Sequence, residues 1–213
     1  MKLDQHLVAK SCGDYELIDS GDNEKLERFG TVILRRPETQ ALWKKRQPEL
    51  WETAHAKFAP PAGGQDKKGS WDIKKPVPES WTVVRTGLPL IARLTGFKHV
   101  GIFPEQAPNW QWLSERCRDV RRPDMPQVLN LFGYTGAVTV TAALAGAMVT
   151  HVDASKQSLD WAHENARLSG VSEDKIRWML DDALAFVKRE ARRGAKYGGI
   201  ILDPPAFGRG AKG

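Results

Sequence analysis

From Pro126 onward the chain repeats one pattern, an apolar run of strand length followed by a helical run, and this alternation restricts the fold more than any other feature. Val128 to Phe132 reads as a strand, about Ala137 to Ala145 as a helix, Met148 to Val152 as a strand and Lys156 to Leu168 as a helix. Strand Lys175 to Leu180, helix Asp182 to Arg193 and strand Gly199 to Leu202 complete the series. Strands separated by helices run parallel and are joined by right-handed crossovers, so the expected architecture is an α/β, Rossmann-like sheet.

The first half differs in composition. Six of the eight tryptophans (43, 51, 71, 81, 110 and 112) precede the alternation, and the character of the chain shifts near residue 125. The expected division is a β-rich N-terminal region, 1–125, and a cofactor-binding domain, 126–213. Within the first, Tyr15 to Asp19 and Thr31 to Leu34 predict a hairpin around the turn Ser20-Gly21-Asp22-Asn23, followed by a short helical stretch near Ala41 to Ala56. The Pro/Gly-rich segment 59–69 reads as a mobile loop. Trp71 to Ile73, Trp81 to Val84, Leu88 to Leu94 and His99 to Phe103 read as further strands.

Composition excludes several classes. With 41% hydrophobic and 27% charged residues the chain is neither a disordered polyelectrolyte nor a coiled-coil rod. No apolar run approaches bilayer length and no signal-peptide core follows Met1, which predicts a cytoplasmic protein without a membrane partner. Cys12 and Cys117 stand alone and the five histidines (6, 55, 99, 151, 163) are scattered, so no disulfide framework and no metal site is expected. A net charge of +6 suits an anionic partner such as RNA, and equally many basic proteins without one.

The chemistry gathers at the strand ends. Asn130-Leu131-Phe132-Gly133-Tyr134-Thr135-Gly136 closes the first parallel strand with two glycines, which either let backbone approach a ligand or simply make a tight βα turn. Asp153 ends the second strand, where a carboxylate accepts hydrogen bonds from ribose hydroxyls or caps the helix starting near Ser155. The loop lacks the GxGxxG pattern that cradles a pyrophosphate, which favours a nucleoside cofactor without phosphates. Asp182 follows the third strand, positioned for an adenine amino group or for a helix cap. The fourth strand delivers Asp203-Pro204-Pro205-Ala206-Phe207, a rigid extended segment of carboxylate, free carbonyls and aromatic ring suited to a planar base.

These motifs resemble the class I S-adenosylmethionine-dependent methyltransferases, and among them the large-subunit rRNA cytosine-C5 methyltransferases, over roughly residues 101–208. The resemblance implies that Phe132, Gly133, Tyr134 and Gly136 line the methionine end of the cofactor, Asp153 takes the ribose and Asp182 the adenine. Asn130, Thr135, Ala154, Ser155 and Ala183 stand beside them, and Gln106, in Gly101 to Trp110, occupies a cofactor-contacting position. Asp203, Pro204, Pro205 and Phe207 then form the DPPxF motif facing the target, with Asp203 also near the cofactor. Ala107 departs from the Arg usual after that Gln. The class I sheet normally has seven strands and the sequence ends after the fourth, so the resemblance also implies a truncated sheet, without the nucleophilic cysteine of C5 enzymes. Its uncovered edge, Ile200 to Leu202, predicts self-association. The expected activity is methylation of a base in RNA, with a protein or small-molecule substrate, or a non-catalytic RNA-binding module, as alternatives.

Overall fold

The computed structural model describes residues 13–61, 68–119 and 126–205. The chain divides into two compact units, with Ala9–Glu105 in one and Gln106–Gly213 in the other, so the division precedes the shift in composition.

In the N-terminal unit β1 (Tyr15–Gly21), β2 (Glu24–Phe29), β3 (Val32–Pro37), β4 (Ala56–Ala59) and β5 (Ser70–Ile73) form one sheet in sequence order. The β3–β4 pair is parallel and the others antiparallel. β6 (Trp81–Arg85) and β7 (Leu88–Ala92) make a separate hairpin. The expected two-strand hairpin is thus a three-strand meander, because Glu24–Phe29 is a strand despite carrying four charges. Those charges are satisfied across the sheet: Arg36 makes a buried bidentate contact with Glu27 (2.7 and 2.8 Å), and Arg28 pairs with Glu16. The expected helix at 41–56 reduces to a single 3-10 segment, Pro48–Thr53, and 99–103 is not a strand. The loop 59–69 lies largely outside the described residues.

In the C-terminal unit α1 (Ala107–Asp119) packs on α2 (Ala137–Leu144). No helix was expected at α1, whose second residue is a proline, yet a proline in the first turn needs no hydrogen-bonded N–H. β8 (Gln127–Leu131), β9 (Met148–Asp153), β10 (Ile176–Leu180) and β11 (Gly199–Leu202) form a parallel sheet ordered β10-β9-β8-β11. α3 (Lys156–Leu168) and α4 (Ala183–Arg192) complete the predicted alternation. Side chains alternate across the sheet. Leu129, Leu131 and Val152 pack against Phe186 of α4, whereas Asn130 and His151 turn to the opposite face and meet α2. Among the described residues no helix is long and apolar enough to cross a membrane, and no group of three His, Cys, Asp or Glu is placed to hold a metal.

Candidate active site at the strand ends

Parallel pairing brings the carboxyl ends of all four strands to one edge: Leu131 is level with Val152 and Leu202, and Asp153 with Leu180. The order of strands reverses at β8, with β9 and β10 laid on one side of it and β11 on the other. Open α/β sheets bind ligands at such a switch point, outside the carboxyl ends.

Asp153 organises this edge. One carboxylate oxygen accepts from the N–H of Tyr134 and the other from the N–H of Ser155, both at 2.8 Å, so a single side chain ties the β8 loop to the turn before α3. Each oxygen retains acceptor capacity on its half-buried carboxylate. Ser155, and not Asp153, caps α3, accepting from Ser158 N–H at 3.2 Å. Ala154 and Ser155 are exposed beside it.

The β8 loop is tightly wound. Phe132 (φ 57°) and Tyr134 (φ 49°) both adopt left-handed backbone, as does Gly136 (φ 83°), the N-cap of α2. The two glycines are required by the protein beneath them: a Cβ on Gly133 would lie 2.3–2.8 Å from the His151 ring, and one on Gly136 2.8 Å from Ala162 Cβ. Of the two readings open in the sequence, packing is therefore a sufficient reason for both glycines.

A buried polar network supports the loop from below. Asn130 Nδ2 donates to Thr139 Oγ1 at 2.8 Å, and that hydroxyl lies 2.8 Å from His151 Nδ1. A hydroxyl that accepts from Asn130 has both a proton and a second lone pair left for His151 Nδ1, and the buried His151 Nε2 has no hydrogen-bond partner among the described residues. Burial, aided by the charge of His163, pushes the His151 pKa down to about 3 and keeps the ring neutral. Asn165 of α3 donates to the Thr135 carbonyl at 2.8 Å. Asn130 and Thr135, expected at the cofactor, are thus interior supports of the loop. His151, Thr139 and Asn165 escaped sequence reasoning; for His151 the signal was its pairing with Asn130, each flanked by apolar neighbours on at least one side of its strand.

Asp182 caps α4, accepting from Ala185 N–H at 2.8 Å through Oδ1, and is exposed, while Ala183 is buried beneath it. The neighbouring Asp181 pairs with Arg189. Gln106 accepts from Asn109 Nδ2 at 2.7 Å at the start of α1. Asp203, Pro204 and Pro205 follow β11 in exposed backbone without regular structure, at the same edge. Ala206 and Phe207 lie outside the described residues.

Comparison with known proteins identifies the family. A family model described as S-adenosylmethionine-dependent methyltransferase matches residues 60–212. A crystal structure of a SAM-dependent methyltransferase from Agrobacterium tumefaciens superposes with a TM-score of 0.88 at 46% identity, covering 96% of this chain and 64% of that one. The ribosomal RNA large subunit methyltransferase K of Neisseria meningitidis serogroup B is 27% identical over 199 residues, 90% of this chain and 54% of its own length. The ribosomal RNA large subunit methyltransferase K/L of Shewanella frigidimarina is 35% identical over 115 residues, 54% of this chain and 15% of its own. The chain therefore spans about half or less of these two curated relatives. A protein solved in complex with SAH shares the fold (TM-score 0.74, 19% identity, covering 95% of this chain and 55% of that one). On the family match, across most of the parallel unit and part of the β-rich one, this chain belongs to the S-adenosylmethionine-dependent methyltransferases.

Proposed function

We propose that this chain provides the cofactor site of an enzyme that methylates a base in RNA, and that the substrate is ribosomal RNA. The observation that carries the cofactor half is the Asp153 carboxylate, which holds two loops together at the switch point and keeps acceptor capacity for a vicinal diol. The names of the relatives in Neisseria and Shewanella support the RNA half.

The residues fit the cofactor. The strand ends present carboxylates and carbonyls, which suit hydroxyl and amino donors and a positive sulfonium, and the wound β8 loop supplies backbone groups beside them. When bound, S-adenosylmethionine supplies an activated methyl group for in-line displacement. Phe132, Gly133, Tyr134 and Gly136 line its methionine end and Asp153 accepts the ribose hydroxyls. Asp182 keeps one oxygen in the α4 cap and offers the other to the adenine amino group. Gln106, Ala154, Ser155 and Ala183 border this pocket, with Asn130 and Thr135 acting from beneath. Asp203 and the carbonyls of Pro204 and Pro205 orient the target base, on which Phe207 stacks. Catalysis then rests on proximity and alignment. A cytoplasmic location and self-association through β11, where Ile200 and Leu202 are 64% and 59% exposed, belong to the same reading.

The test is transfer of tritiated methyl from S-adenosylmethionine into total RNA or total protein extracted from cells lacking the activity. Label in RNA is expected. Label confined to protein would replace the substrate class and leave the cofactor site intact.

A further inference from the structure

We infer that the segment Ala41-Leu42-Trp43-Lys44-Lys45-Arg46-Gln47 of the N-terminal unit is a docking surface for single-stranded RNA, with Trp43 as a base-stacking platform. This rests on the RNA reading above but uses none of the residues at the strand ends.

The segment contains three cations and no acid; Glu38 and Glu49 are the nearest acids along the chain. Leu42 is 79% exposed and Trp43 54%, and the Lys44 side chain is 93% exposed. Single exposed apolar residues are ordinary on a protein surface; these two are set apart by being adjacent, among cations and on backbone held in place. They are not displayed by a slack loop. The Trp43 carbonyl accepts from Asp22 N–H at 2.7 Å, the Ala41 carbonyl from Asn23 N–H at 2.8 Å, and the Trp43 indole N–H donates to the Ser20 carbonyl at 2.8 Å. Behind the segment the buried Asp19 carboxylate accepts from Arg46 N–H (3.2 Å), Gln47 N–H (3.1 Å) and Trp51 Nε1 (2.8 Å). The backbone also lies against Gly21, where a Cβ would stand 2.5 Å from Lys45 N and 2.7 Å from the Lys44 carbonyl carbon. The indole is thus fixed through its N–H while the residue stays 54% exposed.

Charge points to the occupant. Lys45, Arg35 and Lys57 all reach Glu24, so one carboxylate answers three cations, and Arg46 has no ion pair among the described residues. Lys44 is paired only with Asp22, at 3.1 Å. A rigid aromatic face flanked by surplus cations binds single-stranded nucleic acid without sequence preference: every base offers a π face and every linkage a charge.

The test is fluorescence anisotropy of the whole chain with a labelled single-stranded RNA oligonucleotide of mixed sequence. Trp43→Ala should weaken binding about 10-fold, while Trp43→Phe, which keeps a ring but loses the Ser20 hydrogen bond, stays within about 3-fold of wild type. The double variant Lys44→Ala/Arg46→Ala should lower the salt slope of log affinity by about 1.4. Equal weakening by the Phe and Ala variants would make Trp43 a structural clamp and overturn the inference. Unchanged binding by Trp43→Ala, with wild type bound, would overturn this surface and leave the RNA reading standing; no binding by wild type would overturn both. If Trp43→Ala instead abolishes an oligomer seen by light scattering and leaves RNA affinity unchanged, the face joins copies of the chain and the inference fails.

Discussion

At Glu24 a single carboxylate accepts from Arg35 (2.6 Å), Lys45 (2.9 Å) and Lys57 (3.2 Å). Burial would raise its pKa, but these hydrogen bonds and charges outweigh burial and hold it at about 2, against an ordinary value near 4.5. A carboxylate lowered on folding binds fewer protons in the folded than in the unfolded chain. Its contribution to stability is therefore full above about pH 4.5 and is lost as the pH falls through about 2. The urea midpoint of Glu24→Gln should decline less between these pH values than that of wild type; parallel declines would show that the three cations do not act through this group. None of this was legible in the sequence, where Glu24-Lys25-Leu26-Glu27-Arg28-Phe29 stood between the two expected strands with no element assigned to it. Leu26 is buried on one face and Glu27 and Phe29 on the other, so no period-2 pattern marks the strand, and the partners that neutralise its charges come from other segments. His151 was hidden for a similar reason, since only strand pairing sets it beside Asn130 and below Gly133.

Among the elements, the parallel unit was legible almost to the residue from β8 onward, though not at α1. α3 is observed at Lys156–Leu168 and β11 at Gly199–Leu202, as expected, because apolar periodicity, caps and turns agree there. The N-terminal unit was less so: residues 41–47 gain their order from the Ser20–Asn23 turn, and no local propensity reports that. The β8 loop shows how elements position the site. Gly133→Ala would drive a methyl group into the His151 ring, and overpacking of this kind costs about 1–3 kcal/mol. We expect a lower unfolding midpoint for Gly133→Ala together with weaker binding of S-adenosylhomocysteine. Gly198→Ala, whose added carbon meets only an ordinary 3.6 Å contact, should change neither. Equal behaviour of the two variants would mean that the loop does not depend on its approach to His151.

On the scale of the whole molecule, two units share the work proposed for the chain. The parallel unit gathers carboxylates and a wound backbone loop at one sheet edge, and the β-rich unit holds an aromatic, cationic segment in place. Placement of the candidate site was legible because strand-end residues in a parallel sheet are brought together by topology alone. Which side chain ties the edge together was not, since both bonds of Asp153 run to backbone N–H groups, and that of Tyr134, 19 residues away, belongs to a loop wound left-handed. The Asp153 carboxylate is proposed to organise a nucleoside-cofactor site at this edge. Calorimetric titration of S-adenosylhomocysteine into wild type and Asp153→Ala, with circular dichroism confirming that both are folded, tests it directly. Wild type should bind and the variant should lose at least about 1.5 to 3 kcal/mol, more than 10-fold in affinity. Equal affinity in the folded variant, or preference of the wild type for NAD, would contradict the account.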